Sequence, residues 1–177
     1  MRKEAIRFVV RYVRPIWSTL GKMAYWIFYR IQLETSPALA VKYLSNKNAW
    51  EAVRDLTSLC RYFQTRFTYK PDGLAGTPEA GLIDHDNSLL EFLCSGGDCD
   101  DAARFAVIKL RELGYQATRW HFVSEDIRKY HFDAVILQAL SVTLFNYGNL
   151  TVCTGNPLEG MNTIFPAGTY IDAFPVD

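Results

Sequence analysis

Gly96-Gly97-Asp98-Cys99-Asp100-Asp101 leads into Ala102-Ala103-Arg104-Phe105-Ala106-Val107-Ile108-Lys109-Leu110, and Leu113-Gly114 closes the run. Two glycines permit a sharp approach, and Asp98 stands where a helix is capped. Phe105, Ala106, Leu110 and Leu113 recur at helical spacing, and Gly114 is a natural stop. Cys99 therefore falls in the first turn of a helix. The positive end of the helix dipole and the free backbone N–H groups there favour a thiolate, the nucleophilic form of cysteine. A small buried apolar cysteine in a capped helix fits this segment equally well.

The chain has 177 residues, formal net charge 0, 49% apolar and 14% aromatic residues. This composition can build a core and argues against global disorder. A neutral chain is also a poor match for a general nucleic-acid binder. The charge is unevenly placed. Residues 1–32 hold seven Lys/Arg and one acid, leaving twelve basic and eighteen acidic residues in the remainder. The cysteines are Cys60, Cys94, Cys99 and Cys153; no CxxC occurs, and neither a zinc site nor a disulfide scaffold is expected. A reducing, cytoplasmic compartment is the simpler expectation. Arg7, Arg11 and Arg14 break what would be the apolar part of a signal peptide, and no apolar run is long enough to span a bilayer.

Residues 2–14 read as a basic amphipathic helix, with Lys3, Arg7, Arg11 and Arg14 on one face. Pro15 is expected to interrupt it. A second apolar run, Ile16 to Ile31, carries Trp17, Leu20, Met23, Trp26, Ile27 and Phe28. Attachment of residues 1–31 to an anionic membrane surface is one reading. A helical layer packed on the core, or on a second subunit, is the one preferred here. Ser36 to Lys47 reads as a connection with a short helical piece, and Asn48 as the cap of a helix through Trp50, Val53, Leu56, Cys60, Phe63 and Phe67. Tyr69 to Gly73 is turn chemistry. Leu82 to Cys94 suits a short helix through Leu89, Leu90 and Phe92. Asp84-His85-Asp86 lacks further ligands at metal-binding spacing and reads as a polar turn, so no metal or other cofactor is expected.

Strands are expected at Tyr115–Val123, His131–Gln138, Ser141–Tyr147, Leu150–Cys153 and, at an edge, Tyr170–Phe174. Asn146-Tyr147-Gly148-Asn149 forms a turn, and Thr154 to Asn162 reads as a loop. Helices first and strands afterwards indicate an α+β fold. A cysteine nucleophile needs a base and a group that orients the base. Of His85, His121 and His131, the last opens a strand, and Asn146 closes the next one. Antiparallel pairing would bring His131 and Asn146 to one end of the sheet, and Cys-His-Asn is a working variant of the catalytic triad.

From about Trp50 to about Leu150 the chain resembles the transglutaminase-like cysteine peptidases, particularly small bacterial and phage-encoded members. The resemblance rests on Phe67 to Asp72, on Gly97-Asp98-Cys99-Asp100-Asp101, on Leu113-Gly114-Tyr115, and on His131 heading a strand. It implies a papain/transglutaminase-like core with a helical N-terminal part and an antiparallel sheet in the C-terminal half. It further implies a Cys99 nucleophile, a His131 base and a third member that is often Asp. Asn146 best matches that position, and Asp172 is the alternative. The expected organisation is a helical extension over 1–45 and a catalytic domain over 46–177. The implied activity is acyl transfer on a protein or peptide substrate in the cytoplasm of a bacterial or phage-infected cell, with possible association at the membrane surface. A catalytically inactive, protein-binding member of the same fold is the alternative.

Overall fold

The structure is a computed structural model that describes residues 14–70, 87–125, 130–166 and 169–176, with side chains described from residue 23. Of the helix expected over 2–14 only Arg14 is described, and most of the turn expected at Tyr69 to Gly73 and all of Asp84-His85-Asp86 lie outside the described residues. Six helices and five strands are described: α1 (Arg14–Thr35), α2 (Pro37–Glu51), α3 (Leu56–Thr65), α4 (Leu89–Ser95), α5 (Cys99–Glu112), β1 (Ala117–Val123), β2 (Tyr130–Leu137), β3 (Val142–Asn146), β4 (Asn149–Cys153), α6 (Pro157–Ile164) and β5 (Asp172–Pro175). The chain divides into two compact units, Met1–Val53 with Arg66–Asp101, and Arg54–Thr65 with Ala102–Asp177.

In the first unit α1, α2 and α4 pack together around Tyr29, Trp50, Phe92 and Leu93. Trp50 meets Phe92 edge-on at 5.8 Å between ring centres, and Asn46 Nδ2 donates to the Leu93 carbonyl at 2.8 Å. Two expectations change here. The short helical piece expected within Ser36 to Lys47 extends into the body of α2, because Ser36-Pro37 starts a helix. The Ser36 hydroxyl accepts from the Leu39 N–H, and proline fills the first turn, where its missing N–H costs nothing. Asn48 accordingly lies inside a helix, and the single long helix expected from Asn48 to Phe67 is broken. Asp55 and Ser58 cap the second piece reciprocally: Ser58 N donates to Asp55 Oδ1 at 2.7 Å and Asp55 N to Ser58 Oγ at 3.1 Å.

The helical layer expected at the N-terminus is described from Arg14 as α1, which packs on α2 and α4. Pro15 and Gly21 both lie within α1. Tyr29 is the one buried side chain among those described on this helix, whereas Met23, Tyr25, Trp26, Ile27, Phe28 and Ile31 are all exposed. Apolar residues occur all round α1, and one helix face cannot bury them all.

In the second unit the sheet has the order β4-β3-β2-β1-β5, with every pairing antiparallel. Its strands fall within a residue or two of the expected ones, and β5 is indeed an edge. One sheet face carries Phe122, Val135, Val142 and Leu144, which form a cluster with Met161 of α6 and Tyr170. On the opposite face Phe145 packs edge-on against Phe63 of α3, 5.2 Å between ring centres. α6 replaces the loop expected over Thr154 to Asn162. Asn156 caps it by accepting from the Leu158 N–H at 2.9 Å, and Pro157 fills the first turn. The β3–β4 hairpin turns through Tyr147 and Gly148, at φ 48° and 86°, as a two-residue turn of this twist requires. A side chain at Gly148 would also overlap the Cys60 carbonyl.

Candidate functional site

The first unit builds the approach to Cys99. Gly97 N donates to the Thr68 carbonyl at 3.2 Å and Lys70 N to the Gly97 carbonyl at 2.8 Å, so the segment before Pro71 pairs with the glycine turn through a parallel bridge at Tyr69 and Gly97. A Cβ at Gly97 would run into Asp101 and Asn87, which explains a glycine there. Cys99 is the first residue of α5, as its spacing predicts. Asp98 Oδ1 accepts from the Asp100 N–H at 3.0 Å and caps the helix. Asp101 is braced by Asn87, whose backbone N donates to Oδ1 at 2.7 Å and whose side-chain amide donates to Oδ2. The same amide reaches the Gly96 carbonyl at 3.1 Å. Asn87 is a residue that the sequence reading passed over. Its readable signal is the Asn87-Ser88 pair ahead of an apolar run, since Ser88 caps α4.

Asp98, Asp100 and Asp101 are buried and offer carboxylate oxygens within 4.8 Å of one another. Such a donor set suits a hard cation such as Ca²⁺ or Mg²⁺. Both oxygens of Asp101, however, already accept from Asn87.

The second unit brings His131 and Asn146 together. Residues directly opposite in the register share a sheet face. The β2–β3 register pairs Ala134 with Phe145; continued by one residue it sets Asn146 opposite Asp133, on the face that His131 shares two residues earlier in β2. Asp172 is excluded from this neighbourhood. It pairs with Val123, which pairs with Tyr130, so it projects from the other face, two strands or about 10 Å across the sheet.

His131 is enclosed by the rings of Tyr147, Phe165 and Tyr170, at 5.9, 5.7 and 6.5 Å between centres. Burial pushes its pKa down to about 4, and the nearby Asn146 side chain opposes the shift by favouring the imidazolium. Among the described residues neither His131 Nε2 nor Asn146 Oδ1 has a well-formed hydrogen bond. Asp133 is fully buried on the same face. Desolvation drives its pKa well above the usual carboxylate range, against the Ala134 N–H, which favours the anion. Asp133 is the second residue missed, although it is the one charge in the run His131 to Leu137.

The other candidates fall into structural roles. His121 lies flat against Phe132 at 4.4 Å, with Phe174 edge-on, and is a core residue of the sheet. Burial raises the thiol pKa values of Cys60, Cys94 and Cys153, that of Cys94 to about 11, which disfavours their thiolates.

No protein-family model matches the chain, and no curated protein matches it. Among solved structures it is similar to Legionella pneumophila LapG, at 15% identity and TM-score 0.54 over 82% of this chain and 79% of that one. The EGTA-treated form of the same protein matches at 15% identity and TM-score 0.52, over 82% and 78%. The fold is α+β, with a papain-like core. At this identity the likeness speaks for the fold alone. No helix among the described residues is long and apolar enough to cross a membrane.

Proposed function

We propose that the chain is a cysteine-dependent acyl-transfer enzyme, a peptidase or amide hydrolase, with Cys99 as nucleophile, His131 as base and Asn146 orienting the base. The observation that carries this reading is the placement of His131 and Asn146 on one sheet face at one end of adjacent strands. Cys99 at the start of α5 and the papain-like fold support it.

In this mechanism the neutral His131 accepts the Cys99 proton. The burial that disfavours an isolated imidazolium strengthens its attraction to the thiolate formed at the same moment. The thiolate attacks the carbonyl carbon of a protein or peptide amide, and the Cys99 N–H at the helix start stabilises the oxyanion. His131 then returns the proton to the leaving amine, and water resolves the thioester. Asn146 holds the imidazole ring in place throughout.

A p-nitrophenyl ester tests the acyl-transfer step without a known substrate. The expected result is a burst of p-nitrophenolate with the acyl group on Cys99 by mass spectrometry, absent in Cys99→Ala and slowed about 100-fold or more in His131→Ala. An unmodified Cys99 would refute the reading.

A second reading is a catalytically inactive, protein-binding member of the fold. It is favoured by the low exposure of Cys99 and His131, 6% and 7%.

A further inference from the structure

α1 presents an apolar surface that no described part of the chain covers. Met23, Ile27 and Ile31 recur every four residues and are 61%, 52% and 58% exposed. They lie on the side of the helix opposite Tyr29, the residue through which α1 packs inward. Trp26 and Arg30 border this row, with the Arg30 guanidinium 5.5 Å from the Trp26 ring centre. α1 packs on α2 and α4, and its outer side is uncovered among the described residues.

We propose that this outer face of α1 lies on an anionic lipid surface, with the helix in the plane of the headgroups. Three observations favour lipid over other occupants. The first is charge. Residues 1–32 carry seven basic residues and one acid, whereas the rest of the chain has eighteen acids against twelve bases. Anionic headgroups attract the first part and repel the second, so the chain settles with α1 towards the surface. The second is chemistry. Exposed Trp26 beside Arg30 combines an apolar ring with a polar tip and a cation, as interfacial helices do. The third is that a second copy would bring two basic segments together, and their repulsion opposes a symmetric α1–α1 pair. Since no described helix is long and apolar enough to cross the bilayer, α1 is placed on the surface. This inference is independent of the chemistry assigned to Cys99.

Co-sedimentation of the full chain with vesicles tests it. With phosphatidylcholine and phosphatidylglycerol at about 3:1 the chain should pellet, and with phosphatidylcholine alone it should stay in solution. Added salt should weaken the binding. The double variant Ile27→Glu/Ile31→Glu should bind at least about 10-fold more weakly. Leu140→Glu, at a 92% exposed site in the β2–β3 connection, should bind like the wild type. The proposal is overturned if the wild type stays in solution with the anionic vesicles, or if the double variant binds as well as the wild type. It is also overturned if sedimentation velocity without lipid shows a dimer that the double variant abolishes, which would assign the face to a second copy. If the double variant loses its circular dichroism spectrum, brominated lipid decides with the wild-type chain: tryptophan quenching in anionic vesicles supports the proposal, and unquenched fluorescence overturns it.

Discussion

His131 on β2 and Asn146 at the end of β3 share one face of the sheet, whereas Asp172 on β5 projects from the other. Strand alternation, rather than distance along the chain, separates the two candidates for the residue that orients the histidine.

This relationship predicts how the imidazole responds to its neighbours. Asn146→Asp places a carboxylate beside His131 and should raise its pKa from about 4, because a negative charge stabilises the imidazolium. Asn146→Ala removes the opposing influence and should lower it further. Asp172→Asn should leave it unchanged. NMR titration of the imidazole nitrogens reads all three.

The depressed pKa of His131 also fixes the sign of an acid effect on stability. The unfolded chain takes up the proton near the ordinary value of 6.5 and the native chain near 4. The contribution is therefore whole above pH 6.5 and is lost as pH falls towards 4, by up to about 3 kcal/mol. Urea unfolding at stepped pH should show this slope, and His131→Leu should remove it.

Asp133 predicts the opposite sign. Burial favours its neutral carboxyl and raises the pKa, so its contribution is fully present below the unfolded value of 3.8 and is lost as pH rises towards the raised native pKa. Asp133→Asn keeps an acceptor for the Ala134 N–H, now received by Asp133 Oδ1 at 3.0 Å, and cannot ionise. The variant should unfold at a higher temperature than the wild type at pH 8, and the difference should shrink towards pH 4.

Asn87→Ala removes the side-chain amide that donates to Asp101 Oδ2 and to the Gly96 carbonyl in the turn before Cys99. The expected loss is about 2–3 kcal/mol in urea unfolding, since two buried hydrogen bonds are lost, one of them to a carboxylate.

Much of this arrangement is legible in the sequence. The Cys99 helix and the strands carry strong periodicity and clear stops at Gly114 and Gly148, and His131 and Asn146 stand at strand ends where turn chemistry marks them. Capping chemistry accounts for what was misread. Ser36-Pro37 and Asn156-Pro157 both begin helices with a side-chain cap and a proline in the first turn, yet a Pro beside polar residues also reads as a loop. Asp133 and Asn87 matter through burial and through partners distant in sequence, which no local pattern discloses.

The central claim is that Cys99 is a nucleophile activated by His131. Iodoacetamide alkylation of Cys99 across pH, followed by mass spectrometry in the wild type and in His131→Ala, tests it most directly. The account predicts rapid alkylation below the ordinary thiol pKa of about 8.5 and its loss in His131→Ala. A Cys99 that is inert, or that reacts as an ordinary thiol in both proteins, would contradict it.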